Sequence, residues 1–370
     1  MSATGGDRPP NEDHARFTSA LERLLSAKDR SHVWSPYSVG SVLALLAEGA
    51  AGRTREELTA LLAPVEGDPS AHLASLDAAV ESADGLDLAV LNGLYVPDDL
   101  RPYPGFEKAV RARAGAEVER VDFRGASEEV RRSINGRVSE VTRGIIDELL
   151  APGTVHPDVR MMLVNALRVK MVWRDPFEVG LTGQRRFHTP RGARKVPTMH
   201  RSGRMPYAER DGWRMVSLAG EYDLALDVFL GEGDTPPDHR TSRALYEALR
   251  PERVDLALPR FAVESDLSLL EPLADDSIGV RTLATDEADF SGIADARLKV
   301  DTIVHQSVLR VDERGAEGAA ATAAVMLTAA LPTKAKRFVV DRPFGFALRR
   351  GEAVLFTGRV VDPVDPGPAS

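Results

Sequence analysis

The stretch ERGAEGAAATAAVMLTAALPTKAK, residues 313–336, decides how the rest of the chain is read. From Ala316 to Thr333 its only ionisable residue is Glu317, in a chain that is 28% charged. Alanine favours a helix by propensity. A membrane helix needs about 17–25 apolar residues, and this segment falls short before Pro332 and carries Gly315, Glu317 and Gly318. A flexible linker accounts for the small residues but not for Val325-Met326-Leu327. A strand accounts for more. Alternate residues of a strand share a face, so Ala316, Gly318, Ala320, Thr322, Ala324 and Met326 form one small, uncharged row. Glu317 falls on the other row, beside Ala319, Ala321, Ala323, Val325 and Leu327. Such a segment can slide between existing strands without burying an ion, which would cost several kcal/mol.

The composition around it is that of a soluble globular protein, 370 residues with 43% hydrophobic. Basic residues number 47 against 56 acidic, a formal net charge of −9. With no long Lys/Arg block, nucleic-acid binding is not expected. No cysteine is present, which excludes disulfides, thiol catalysis and thiolate metal sites. The start, MSATGGDRPPNEDHARF, shows no basic region followed by an apolar one, so no signal peptide is legible. A cytoplasmic protein or a mature secreted form is expected. Four Asn and two Gln beside abundant charge fit a heat-adapted protein or a GC-rich genome.

Helix patterns dominate the first half. NEDHARFTSALERLLSAK places Phe17, Leu21, Leu24 and Leu25 on one face. SPYSVGSVLALLAEGAAG opens with a cap and a first-turn proline and ends in glycine. TREELTALLA and SAHLASLDAAVESA read as shorter helices, and EEVRRSINGRVSEVTRGIIDELL as a long one with Val130, Ile134, Val138, Val141 and Ile145 inward. LDLAVLNGLYVPDD reads as one strand, although Asn92-Gly93 ordinarily marks a hairpin turn. Strand patterns dominate the second half, beginning with VRMMLVNALRVKMVW (159–173), apolar enough to be buried on both faces. SLLEPLADDSI is a helical insert, and the Pro-rich end DPVDPGPAS reads as a short tail. The fold class is α+β. No GxSxG, HExxH, Walker loop or GxGxxG is present, so nothing points to an enzyme, a metal or a cofactor.

VDERGAEGAAATAAVMLTAALP resembles the reactive-centre loop of the serpin family. Further segments match family signatures in order: VWSPYSVGSVLALLAEGAAGRTREEL, LVNALRVKMVW, LPRFAVESDLSLLEPLADDSIG, DEADFSGI, VHQSVLRVDERG and RPFGFAL with LFTGRVVDP. The loop is most similar to those of heat-adapted bacterial members. The resemblance spans about residues 15–363, with residues 1–14 a flexible start, 364–370 a tail and the loop at about 313–337. It implies one domain with three β-sheets and about nine helices, a monomer that meets neither membrane nor nucleic acid.

The function implied is suicide inhibition of serine proteases: the cleaved loop inserts as a central strand of the large sheet and traps the acyl-enzyme. The alternative is a non-inhibitory member acting as a binding or chaperone module. Those usually carry bulky, charged or proline residues in the inserting row, which this loop lacks. By the family's spacing, fourteen residues on from the hinge glycine, Gly315, gives Ala329-Ala330 as the reactive bond, with Thr328-Ala329 and Ala330-Leu331 as one-residue alternatives and Leu327-Thr328 the bond that would suit a chymotrypsin-like enzyme. Met326, Leu327 and Thr328 precede it, which suits elastase-like or chymotrypsin-like targets. Glu313, Gly315, Ala316, Glu317, Gly318, Ala319, Ala320 and Ala321 match the hinge, where Ala316 replaces the usual Thr or Ser and Gly318 an Ala. Ser35, Ser38, Asn165 and His305 match the polar cluster beneath the point where the sheet opens. Trp173 and Glu313 match its top, or breach; taken singly, Trp173 reads as core packing and Glu313 as a solvated charge.

Overall fold

The computed structural model describes residues 9–26, 29–65, 67–231, 237–316 and 335–367. Helix α1 (Glu12–Leu25) starts at Asn11, whose side chain accepts from the His14 N–H at 3.1 Å. Glu12 and Asp13 sit in its first turn, against the positive end of the helix dipole. Strand β1 (His32–Trp34) leads to α2 (Pro36–Gly49), capped by Ser35 accepting from the Ser38 N–H at 3.0 Å, with Pro36 where its missing N–H costs nothing. Helices α3 (Gly52–Leu62) and α4 (Ser70–Ala79) follow, then β2 (Asp87–Pro97), α5 (Pro104–Arg111), β3 (Ala116–Val121) and α6 (Ser127–Thr142).

The second half runs β4 (Met162–Val172), β5 (Gly183–Thr189), β6 (Gly192–Arg210), β7 (Trp213–Ala219), β8 (Leu224–Leu230) and α7 (His239–Ala248). It continues with β9 (Arg250–Pro259), β10 (Phe261–Ser268), α8 (Leu270–Ala274), β11 (Thr302–Val311), β12 (Gly315–Ala316), β13 (Lys336–Val339), β14 (Phe344–Arg350) and β15 (Ala353–Val360). The strands form a six-stranded sheet in the order β10-β11-β12-β4-β2-β3, and a network in the order β1-β15-β14-β8-β7-β6-β9-β13 with β5 on β6. Three sheets become two hydrogen-bonded networks because the 19-residue β6 is shared: it pairs with β5 and β9, then through Tyr207–Arg210 with β7.

The main core lies between the two sheets. Leu167, Val169, Met171, Leu309 and Val311 from the six-stranded sheet belong to one cluster with Leu226, Val228, Leu256 and Leu348 from the other network. A second core surrounds α2, which buries all but two of its fourteen residues.

As the sequence pattern predicts, the β2 strand passes straight through Asn92-Gly93. Other local readings are revised. Helix α6 stops at Thr142 instead of running to Leu150, because Arg143 turns left-handed at φ 53° and the Gly144 N–H closes on the Ser139 carbonyl at 2.8 Å. Leu24 on α1 is exposed, not part of the inward face. The insert after β10 is only the five-residue α8. Residues 11–14, read as part of a flexible start, are built into the fold: Asp13 and His14 are buried. The Val354 N–H donates to His14 Nε2 at 2.9 Å, which places the ring proton on Nδ1. That proton points at His72 Nε2 at 2.8 Å, and His72 Nδ1 in turn reaches the Leu62 carbonyl at 2.7 Å. Two neutral imidazoles thus tie α1, α3, α4 and β15 together, and the tail beyond Pro363 is anchored by Val364 on Ala262.

Candidate functional site at a parted sheet

Strands β4 and β11 run parallel, but they pair directly only where Thr302–His305 face Met162–Asn165. At the other end β12 lies between them, Ala316 opposite Val311 on one side and Met171 on the other, with Gly315 opposite Val172. Between the two rungs the strands part over a narrow cleft. Leu167, Arg168 and Val169 line one wall and Val308, Leu309 and Arg310 the other, with Thr142, Ile145 and Ile146 from the end of α6 across the opening.

Backbone fit and buried polar groups hold the closed upper end. A Cβ on Gly315 would lie 1.9 Å from the Met171 carbonyl oxygen, so only glycine lets the hinge lie flat against β4. Ala316 is fully buried in the inter-sheet core. Asp312 Oδ1 accepts from the N–H groups of Arg314 at 2.8 Å and Gly315 at 3.2 Å, bending the chain into the slot. Burial raises the Asp312 carboxyl above its usual range, against these two bonds. Trp173 donates from Nε1 to the Asp312 carbonyl at 2.9 Å and from its backbone to the Arg314 carbonyl at 3.0 Å. Both expectations for Trp173 coincide, since it is also 2% exposed.

Glu313 is not the solvated charge its sequence context suggests. It is 0% exposed, because the Phe177 N–H binds its carbonyl at 2.9 Å and draws it under the sheet edge. Its Oε1 accepts from Thr182 Oγ1 at 2.6 Å and lies 3.7 Å from Arg260 Nε. Oε2 has no hydrogen-bond partner among the described residues. Arg260 also reaches Asp365 at 3.3 Å, so the guanidinium stands between the hinge and the tail. Thr182, Arg260 and Asp365 carry no sequence signal for this role; only the fold brings them to residue 313.

The lower end is polar. Asn165 and His305 are partners at the last direct rung. His305 Nε2 accepts from the Ser35 N–H at 2.9 Å and lies 3.0 Å from Ser307 Oγ. Asn165 Nδ2 donates to Asn92 Oδ1, and Asn92 is its cross-strand partner on β2. Ser35, Ser38, Asn165 and His305 are all buried and are brought together, yet Ser38 Oγ, Asn165 Oδ1 and His305 Nδ1 lack partners among the described residues. Burial alone pushes the His305 imidazole down to about 4. Asn92 and Ser307 extend the cluster; the sequence marked Asn92 as a strand residue but gave no sign of this role. Residues 317–334 lie outside the described residues, and with them Glu317, Gly318, Ala319, Ala320, Ala321, Met326, Leu327, Thr328, Ala329 and Ala330.

A family model described as Serpin (serine protease inhibitor) matches residues 12–363. The chain is 31% identical to an uncharacterised serpin-like protein of Thermococcus kodakarensis over 98% of this chain and 87% of that one. It is 34% identical to the leukocyte elastase inhibitor of Bos taurus, covering 89% and 92% of the two chains. Among solved structures, a highly specific serpin of the insect Tenebrio molitor, Serpin48, superposes with a TM-score of 0.80 at 26% identity over 98% of this chain and 100% of that one. Uncleaved ovalbumin, at 21% identity and a TM-score of 0.82 over 96% and 100% of the two chains, bears on the fold alone. The chain belongs to the serpin family of serine protease inhibitors, and is not an enzyme.

Proposed function

We propose that this chain is a suicide-substrate inhibitor of chymotrypsin-like or elastase-like serine proteases, cut at Ala329-Ala330 and trapping the acyl-enzyme by inserting residues 316 onward between β4 and β11. The observation that carries this reading is the hinge: Gly315 and Ala316 already hold the first two positions of a strand between β4 and β11, above a cleft that continues their path. Ala316 points into the core, so the small row Ala316, Gly318, Ala320, Thr322, Ala324 and Met326 is the row that insertion buries, and Glu317 begins the row that stays outward.

The register adds a second support. Each residue onward from Ala316 steps one residue back along both β4 and β11, so Thr322 comes level with Asn165 and His305. It is the one hydroxyl of the buried row, and it arrives where Asn165 Oδ1 and His305 Nδ1 lack partners. Insertion there exchanges a direct β4–β11 rung for two new ladders and offers the buried polar atoms a partner. In this reading Trp173 and Glu313 hold the breach, and Ser35, Ser38, Asn165 and His305 are the cluster that parts. The small Ala329 favours a narrow apolar primary pocket and Leu327 a wider one, and the likeness to elastase inhibitors supports the former.

The test is to mix the protein with pancreatic elastase and, separately, chymotrypsin, and to run denaturing gels. A band at the summed mass, with a released peptide beginning at Ala330, is the expected result. Complete cleavage without such a band for both enzymes would overturn the inhibitory reading.

A further inference from the structure

The chain is acidic overall, yet Val179–Ala208 contains seven Arg or Lys residues and not one Asp or Glu. This run forms β5 and β6, which join β9 and β13 in a four-stranded layer. One side of the layer faces the core through Met205, Val254, Leu256 and Phe338. The other side carries exposed Arg204, Arg253 and Arg337. Its one acid is Asp255, already bonded to His200 Nε2 at 2.6 Å and Ser202 Oγ at 2.8 Å.

Two features separate this face from ordinary surface charge. Arg204 stands directly across from Arg253. Like charges opposed across strands destabilise a sheet, by up to about 1 kcal/mol a pair, and no ion pair offsets this one among the described residues. Protecting an edge strand with charge does not explain it, because β6 and β9 both lie inside the layer. The position is the second feature. Strand β13 begins at Lys336, at the end of the reactive-centre loop, so this layer lies directly where the chain leaves the loop.

We propose that the solvent face of β6, β9 and β13 that carries Arg204, Arg253 and Arg337 is a docking surface for target proteases that are acidic around the active-site cleft. The proposal rests on the inhibitory reading and adds the surface chemistry of the partner. Cations concentrated on one face of a net-negative molecule orient an approaching anionic surface, and such steering raises association rates about tenfold or more at low salt. A free polyanion is the lesser fit, since the cations spread across a flat layer beside the loop instead of following a groove.

The test uses the full chain with bovine chymotrypsin and with the same enzyme succinylated, so that its lysines become carboxylates. Inhibition of the succinylated enzyme is expected to be about tenfold faster at low salt, the difference closing in high salt. Arg204→Glu/Arg253→Glu should remove that preference while leaving the yield of covalent complex per protease unchanged. Succinylated chymotrypsin blocked at its active-site serine separates the two ideas, because its binding reports the face alone. Salt-sensitive binding lost in Arg204→Glu/Arg253→Glu, without any covalent complex from the active enzyme, would sustain the face and overturn the inhibitory reading. Equal rates for the two enzymes, a preference that survives charge reversal, or tighter binding of a double-stranded DNA oligonucleotide than of the blocked enzyme would each overturn the docking proposal.

Discussion

The two ends of the β4–β11 seam close by different physics. The upper end is closed by an added strand, held by a steric fit at Gly315, a buried methyl at Ala316 and backbone bonds from Trp173 and Phe177. The lower end is closed by direct pairing and a polar cluster whose members are incompletely satisfied. A steric lock fails by being overfilled, whereas a polar seam with spare donors and acceptors can part and re-form around a newcomer. The contrast fits a sheet that opens from top to bottom.

The sharpest way to break the upper lock is Ala316→Arg. A guanidinium forced into the inter-sheet core costs several kcal/mol, so the hinge should leave its slot and the protein become a substrate. Covalent complex should vanish while cleavage near Ala329 persists; an unchanged complex would sink the proposed insertion path.

The lower seam is best probed with acid. His305 is buried and its imidazole is held down to about 4, against about 6.5 unfolded. The unfolded chain therefore takes up the proton first, and stability present in full above pH 6.5 drains away as pH falls toward 4, by on the order of 3 kcal/mol. His14 and His72, both lowered by burial, act in the same sense, so the informative quantity is the difference between wild type and His305→Gln. Denaturant midpoints taken from pH 7.5 down to 4 should fall less steeply in the variant; parallel curves would remove His305 from the account.

A gentler test of the upper lock is Gly315→Ala. Its methyl meets a backbone carbonyl, an overpacking worth about 1–3 kcal/mol, and release of the hinge should change the emission of Trp173. The smallest effect should come from the two serines of the lower cluster. Ser35→Ala removes the α2 cap and should cost about 1 kcal/mol. Ser38→Ala removes a hydroxyl without a partner among the described residues and should be neutral or slightly stabilising. Equal melting temperatures for the two variants would erase the distinction.

Much of this site was legible as a pattern. Ser35, Ser38, Asn165 and His305 stand in separate motifs and do converge, and the small row of the loop has the phase that Ala316 adopts. What was not legible shares a cause. Glu313 reads as surface because a carboxylate in a polar run usually is; it is buried by Phe177 and Thr182, more than a hundred residues away. The end of α6 was misjudged because its apolar spacing continues past Arg143, while the chain's left-handed turn there depends on the capping bond to Ser139.

By itself the sequence determined that the chain is an α+β protein without cysteine chemistry, and that the small-residue run from Ala316 alternates like a strand. Those properties are local: they follow from which side chains recur at a period of two or of three to four. The tertiary structure alone decided that the hinge is seated as far as Ala316, that its glycine is required by the Met171 carbonyl, and that scattered arginines share one sheet face. Each of these depends on which strand lies beside which and in what register, and register is fixed by the packing of the whole core rather than by any one segment.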